Sequence, residues 1–134
     1  MWYRSRACGS QALVEFALVL PLVVMVSLGM VQVVLYAHAR DVLISSVQEG
    51  ARLAAEEGRG TDEGSARAQA LVTAGLGNSL DDLRLRAAFD DELVRLRADA
   101  FLRSIVPLPT LQRLPISAEA WVARERFRPG GGGG

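Results

Sequence analysis

Apolar residues are concentrated in one long stretch near the start of the chain. Between Phe16 and Ala37 the only polar interruptions are Ser27 and Gln32. A helix needs about 20 apolar residues to cross the hydrocarbon layer, because each residue adds about 1.5 Å. A soluble chain of 134 residues has no core deep enough to surround a helix that is apolar on every side. The pattern therefore predicts a transmembrane helix over about residues 14–37.

The charges on either side of this helix predict its orientation. Arg4 and Arg6 precede it without any acidic residue, whereas Arg40 is followed at once by Asp41. Loops rich in Lys and Arg stay in the cytoplasm. We therefore expect a basic cytoplasmic leader over residues 1–10, a single pass through the inner membrane, and an extracytoplasmic remainder after residue 40.

A secretory signal peptide is the competing interpretation of the same stretch. Ala37–Ala39 offers the A-x-A pattern of a signal peptidase site. The apolar run is, however, longer than the roughly 7–15 residues of a signal peptide's apolar region, and Glu15 lies near its start. A mature protein that begins at Arg40 would support the signal peptide.

After Ala37 the apolar positions recur at three- and four-residue spacings, which predicts that the helix continues to about residue 57. The predicted inner face consists of Val42, Leu43, Val47, Gly50, Leu53 and Ala54. A separate amphipathic helix after a break would have the same spacing. The glycines of "GRGTDEG" predict a loop over 58–64. Residues 63–76 then predict a short helix that Asp62 caps and Gly77 ends, with one face formed by Ala66, Ala70, Leu71 and Ala74.

Two later segments alternate between apolar and polar residues, which is typical of strands. Residues 83–89 and 94–102 predict a hairpin with a loop at 90–93, pairing Phe89 with Val94, Ala87 with Leu96 and Leu85 with Ala98. The scarcity of β-branched residues favours a helix instead at 93–102. Pro107, Pro109 and Pro115 predict a connecting loop, and residues 116–122 a last strand with Trp121 facing outward. The predicted fold class is α+β: a long N-terminal helix, a short helix and a small antiparallel sheet, within an extracytoplasmic domain over 65–128.

The predicted hairpin leaves four arginines on one exposed face: Arg84, Arg86, Arg95 and Arg97. A solvated surface is the plain interpretation of such a face. Docking of a neighbouring subunit or of an anionic cell-wall polymer is the alternative. The run "PGGGGG" predicts a flexible tail over 129–134.

Composition excludes several classes of function. The formal net charge is zero, with no basic helix for nucleic acid, and a single cysteine, Cys8, allows no internal disulfide. The acidic pairs Asp81-Asp82 and Asp90-Asp91 stand at turn-like places, where aspartate closes loops. We therefore expect no catalytic site, no metal site and no cofactor, and predict that the protein is not an enzyme.

The segment "QALVEFALVLPLVV", which begins at Gln11, closely resembles the N-terminal signature of TadE-like pseudopilins, minor components of tight-adherence pilus systems. "EGARLAA", from Glu49 to Ala55, resembles the continuation of the same helix in that family. The resemblance covers roughly residues 9–57. It implies a type IV pilin-like helix over 11–57, a prepilin peptidase that cuts before this helix, and assembly with other pilins or pseudopilins.

The resemblance also implies roles for individual residues. Cleavage after Gly9 would make Glu15 the sixth residue of the mature chain. Cleavage after Ser10 would place Gln11 first and Glu15 fifth, as in the family, although with Ser rather than Gly at the cut. Helix assembly would rest on Glu15, Phe16 and Pro21, with Pro21 also predicting a kink in the helix. The alternative is an unprocessed single-pass membrane protein with an extracytoplasmic binding domain.

Overall fold

The computed structural model describes residues 5–56 and 59–124, with side chains from Gly9 onward. Residues 1–4 of the predicted leader, the Cys8 side chain, residues 57–58 and residues 125–134 with the predicted tail at 129–134 lie outside this description. The order of elements is one long helix, one short helix and three strands. This is the α+β fold that the hydrophobic pattern predicts.

The first element, α1, is one uninterrupted helix over Ser5–Ala55. The described helix therefore passes through Pro21 and continues beyond the apolar stretch without a break, so the alternative of two separate helices is wrong. Side chains from Gly9 to Val31 are exposed, apart from partial cover at Leu28 and Gly29. From Gln32 onward one face is buried, and its centre is formed by Leu43 and Val47.

The second helix, α2, spans Thr61–Leu76 and begins inside the range that the glycines predict as a loop. Its N-cap is Gly60 without a side-chain hydrogen bond, so the predicted capping by Asp62 is wrong. Asp62 and Glu63 instead lie in the first turn, where their charge complements the positive end of the helix dipole. The helix ends as predicted at Gly77, whose φ of 53° suits a residue without a Cβ.

The buried face of α2 differs from the predicted one. It consists of Gly64, Ala68, Val72 and Leu76, at regular spacings of four residues. Ala66, Ala70 and Ala74 are exposed instead. A Cβ on Gly50 would stand 2.5 Å from the carbonyl oxygen of Gly64 and 2.8 Å from the Cβ of Ala68. The two helices therefore cross nearly backbone to backbone at Gly50 and Gly64.

The three strands form one antiparallel sheet in the order β1-β2-β3, with β1 Leu80–Phe89, β2 Leu93–Arg103 and β3 Arg113–Ala123. The register between β1 and β2 pairs Leu85 with Ala98, Ala87 with Leu96 and Phe89 with Val94, as the alternation predicts. The strand interpretation of 93–102 is therefore confirmed. Each strand is longer than predicted, and β1 contains an irregularity between Asp81 and Arg84, where Asp82 has a φ of 53°.

Pro115 lies inside β3 rather than in the preceding loop. It pairs with Phe101 across the ladder, and β3 has no second neighbour in the sheet. An edge strand tolerates proline because one side of its backbone needs no partner for an N–H group. The connection between β2 and β3 is consequently short and covers residues 104–112, with a 3-10 turn at Pro109–Leu111.

One face of the sheet packs against the helices. α1 contacts β2 and β3, and α2 contacts β1. The core between these layers includes Leu43, Val47, Leu96 and Ile116, and a second cluster joins Ala54 and Ala55 to Val94 at the far end. The other face of the sheet, called the outer face below, is not covered by either of the two described α-helices.

Candidate functional site

The N-terminal half of α1 is a bare apolar rod. Only 6% of its most apolar 18-residue segment is buried inside the described molecule. The described protein therefore does not provide the apolar environment that these side chains require. Leu18 is 73% exposed and Val33 is 69% exposed. A core helix of a soluble domain would be covered by other elements. This half of α1 is long and apolar enough to cross a membrane, which is consistent with a membrane anchor.

The residues predicted for processing and assembly lie at the start of this rod. Gly9, Ser10 and Gln11 are exposed and helical, so a peptidase would need to unwind the first turns to reach either candidate bond. Glu15 and Phe16, which are adjacent, and Pro21, more than one turn later, are also exposed. Within the described part of the chain, Glu15 has no ion-pair partner. Its carboxylate is therefore available to a group outside this description or on another chain.

Two polar side chains farther along the rod, Ser27 and Gln32, form different kinds of hydrogen bond, and the buried Nε2 of Gln32 has no partner among the described residues. The Ser27 hydroxyl donates to the Val23 carbonyl one turn earlier, at 2.8 Å, which keeps a polar group tolerable in lipid. Gln32 is 8% exposed, and its Oε1 accepts hydrogen bonds from the Ile105 backbone N–H at 2.8 Å and from the Ser104 hydroxyl at 3.3 Å. Gln32 therefore joins the helix to the connection between β2 and β3.

A second contact fixes the sheet to the same part of the helix. The Tyr36 hydroxyl donates to the carbonyl of Pro115 at 3.2 Å. The sequence indicated a polar interruption at Gln32 but not its partner, because the contact joins segments more than 70 positions apart. The sequence features related to this contact are a single glutamine in an apolar run and an uncharged loop that contains prolines.

The outer face of the sheet brings together the four arginines that the alternation places there. Arg84, Arg86 and Arg97 are exposed and Arg95 is half-buried, and all four point away from the helices. Two of them are already paired within the sheet. Arg95 forms an ion pair with Glu119 and lies over the Trp121 ring at 4.5 Å from its centroid. Trp121 is outward-facing, as predicted.

Arg97 is the most constrained of these side chains. Its Nε and Nη2 donate to the two carboxylate oxygens of Asp99 at 3.0–3.2 Å, and its Nη1 is 3.8 Å from Glu119. The Arg97 guanidinium lowers the pKa of the Asp99 carboxyl, with Arg86 adding a smaller effect in the same direction. Among the described residues Arg84 and Arg86 take part in no ion pair, whereas Arg95 and Arg97 do.

The acidic pairs at the turns serve the sheet. Asp81 accepts a hydrogen bond from Arg103 at 2.8 Å, and this contact lowers the pKa of Asp81. Asp82 is 3.7 Å from Arg113. Asp90 closes the hairpin turn, since its backbone N–H donates to the Leu93 carbonyl at 2.8 Å. The described residues contain no group of three or more His, Cys, Asp or Glu side chains that could hold a metal ion.

Comparison with known proteins is informative for α1. Residues 11–52 match the family model described as TadE-like protein. No curated protein and no solved structure matches the chain. The matched range begins at one of the candidate cleavage bonds, covers the exposed apolar rod, and ends just after Gly50, where α1 crosses α2. The N-terminal helix of this chain is therefore similar to the TadE-like family over residues 11–52, and the match does not extend to α2 or the sheet.

Proposed function

We propose that this protein is a minor pseudopilin, processed by a prepilin peptidase on the cytoplasmic side and assembled through α1 during tight-adherence pilus biogenesis. The observation that carries the proposal is the exposed rod of α1 with Glu15 near its start, inside the range that matches the TadE-like family. Its partners would be other pilins or pseudopilins and the assembly machinery. This is an assembly role and not an enzymatic one.

Glu15 supplies a physical reason for assembly through the helix. A charge at the centre of a membrane span costs about 2.5–3.5 kcal/mol on insertion scales, and less near the end of the span, where the side chain reaches the interface. Cleavage after Gly9 or Ser10 would create an α-amine about one turn away from Glu15. An amine of this kind on a neighbouring subunit would pair with the carboxylate and set the register of packed helices, although desolvation offsets part of the gain.

The signal-peptide alternative fits the fold poorly. Cleavage after Ala39 would cut inside α1, where Ala39 is 1% exposed and belongs to the core. It would also remove Gln32 and Tyr36, which fasten the sheet to the helix. A cut before the rod, at residues 9–11, leaves every one of these contacts in the mature protein.

The test replaces Glu15 with Gln, which removes the charge and keeps the size. We expect Glu15→Gln to insert in the membrane like the wild type but to co-purify with the other pilus components at least several-fold less. Glu49→Gln is the matched control, because it changes an exposed glutamate on the same helix beyond the rod. Unchanged co-purification of Glu15→Gln would contradict the assembly role and favour an unprocessed anchored protein with a binding domain.

A further inference from the structure

The connection between β2 and β3 lies beside the exposed rod of α1. Residues 104–112, called the β2–β3 loop below, contain no charged side chain, and Arg103 and Arg113 flank them. Three apolar side chains in this loop are strongly exposed: Ile105 at 45%, Leu108 at 39% and Leu111 at 43%. An exposed apolar cluster of this kind marks a contact surface.

The position of the loop along α1 indicates what it contacts. Its Ile105 backbone N–H is bonded to Gln32, inside the stretch that the sequence predicts to cross the membrane. On the other side of the helix Val33 and Val34 remain 69% and 67% exposed at the same level. The bare helix from Gly9 to Val31 extends about 34 Å at 1.5 Å per residue, against about 30 Å of hydrocarbon. The loop therefore stands where the span leaves the hydrocarbon.

The backbone of the loop suits an environment with little water. An N–H group in lipid requires a partner within the protein. Five N–H groups of the loop have an acceptor within the protein. Ser104 donates to Gln112, Ile105 to Gln32 and Val106 to Ser104. Leu108 donates to Val106, and Leu111 donates to Leu108. Pro107 and Pro109 have no N–H group to satisfy.

The flanking charges lie at the base of the loop. Arg103 is paired with Asp81, and Arg113 lies near Asp82, so these arginines form a polar rim above the apolar tip. Tyr36, whose ring and hydroxyl suit the membrane–water boundary, is bonded to β3 beside this rim. Apolar tip, polar rim and aromatic residue follow one another in the order of a membrane interface.

We propose that the β2–β3 loop inserts its apolar tip into the bilayer leaflet on the side of the sheet domain. Ile105, Leu108 and Leu111 would lie among the outer parts of the acyl chains, next to α1. The lipid contact would hold the sheet domain against the membrane in addition to the anchor. This inference rests on the membrane anchoring in the proposed function.

The test measures the depth of single nitroxide labels in the full-length protein, reconstituted in vesicles of phosphatidylethanolamine and phosphatidylglycerol. The label is attached at Leu108→Cys in a Cys8→Ser background. Leu93→Cys is the matched control, since Leu93 has the same side chain and is 37% exposed against 39% for Leu108. Leu93 lies at the opposite end of the sheet, where Val94 packs on Ala54 and Ala55. Val26→Cys reports on the span itself.

We expect the label at Leu108 to collide with dissolved oxygen several-fold more often, relative to a water-soluble nickel chelate, than the label at Leu93. The ratio of oxygen to nickel-chelate collisions at Leu108 should approach the ratio at Val26. A Leu108 ratio equal to that of Leu93, with Val26 in lipid, would overturn the inference and leave the anchor intact. Low collision with both reagents at Leu108 would indicate burial against another protein and would also overturn it. A water-exposed Val26 would refute the anchor itself.

Discussion

At the scale of single residues, the polar side chains along the apolar part of α1 differ in what they bond to. The Ser27 hydroxyl donates within its own helix turn, whereas the Oε1 of Gln32 accepts hydrogen bonds from the β2–β3 loop. Glu15 has no partner among the described residues, and this distinguishes it from the other two. Polar groups in the same apolar helix thus have three roles. Ser27 bonds within the helix, Gln32 attaches the sheet domain, and Glu15, by our proposal, pairs with another subunit.

Gln32→Ala tests the attachment of the sheet domain. The substitution would leave the part-buried Ile105 N–H without its acceptor, which costs about 1 kcal/mol. We expect the Tm of Gln32→Ala in detergent micelles to be several degrees lower than that of the wild type. Thermal unfolding is followed by circular dichroism. Ser27→Ala is the control, because its hydroxyl bonds only to its own helix. Equal Tm values for the two variants would show that the contact with Gln32 does not hold the domain.

The ion pairs on the sheet predict a weak loss of stability in acid. Hydrogen bonds from arginine lower the pKa of Asp81 and of Asp99 in the folded protein. A group whose pKa is lowered by folding stabilises the fold above its unfolded pKa, near 3.9 for aspartate, and this contribution is lost as the pH falls through the folded pKa. We expect stability in urea to be flat from neutral pH to about pH 5 and to fall below about pH 4.

Asp99→Asn is the variant that checks this assignment. Without the Asp99 carboxylate, the fall in stability below about pH 4 should be less steep. The reason is that residue 99, which contacts Arg97, can no longer be protonated in this pH range. If the stability of Asp99→Asn falls as steeply below about pH 4 as that of the wild type, other carboxylates cause the loss of stability in acid. A stability that rises as the pH falls would contradict the sign of both shifts.

At the scale of elements, the crossing of α1 and α2 depends on the absence of two side chains. Gly50 and Gly64 face each other, and neither helix can move away without opening the core around Val47 and Ala68. Gly50 lies in the segment "EGARLAA" and within the range that matches the TadE-like family. The contact gives that segment a structural reason to carry glycine at this position.

Gly50→Ala should therefore destabilise the fold by about 1–3 kcal/mol or more, since the new methyl group would press on a backbone oxygen that cannot rotate away. Gly29→Ala is the matched control, because a Cβ there meets nothing within 4 Å. The measurement is the midpoint of urea unfolding in micelles. Identical midpoints for Gly50→Ala and Gly29→Ala would mean that the helices do not cross as closely as described.

The elements also show how far sequence reasoning extends. The register of the hairpin followed from alternation alone, because a slip of one residue would turn Leu85, Ala87 and Leu96 toward water. The buried face of α2 did not follow, because an apolar stripe of alanines is indistinguishable by hydropathy from the stripe of Gly64 and Ala68 that the close crossing requires. The hydrogen bonds between Gln32 and the β2–β3 loop could not be predicted from the sequence, because they depend on how distant segments pack together.

At the scale of the whole molecule, a helix of 51 described residues joins two environments. Its first half is bare and apolar, and its second half forms the floor of a small α+β domain. The uninterrupted helix transmits the position of the anchor directly to the sheet, because no loop separates them. By our proposal, the exposed rod serves assembly while the second half of α1 carries the sheet domain beside the membrane.

The central claim is that this rod becomes the N-terminus of the mature protein, and mass spectrometry of the N-terminal peptide from membranes of cells that produce the pilus system tests it most directly. The account predicts a mature chain that begins at Gln11, or at Ser10 if the cut follows Gly9. A mature protein that retains residues 1–10, or one that begins at Arg40, would contradict it.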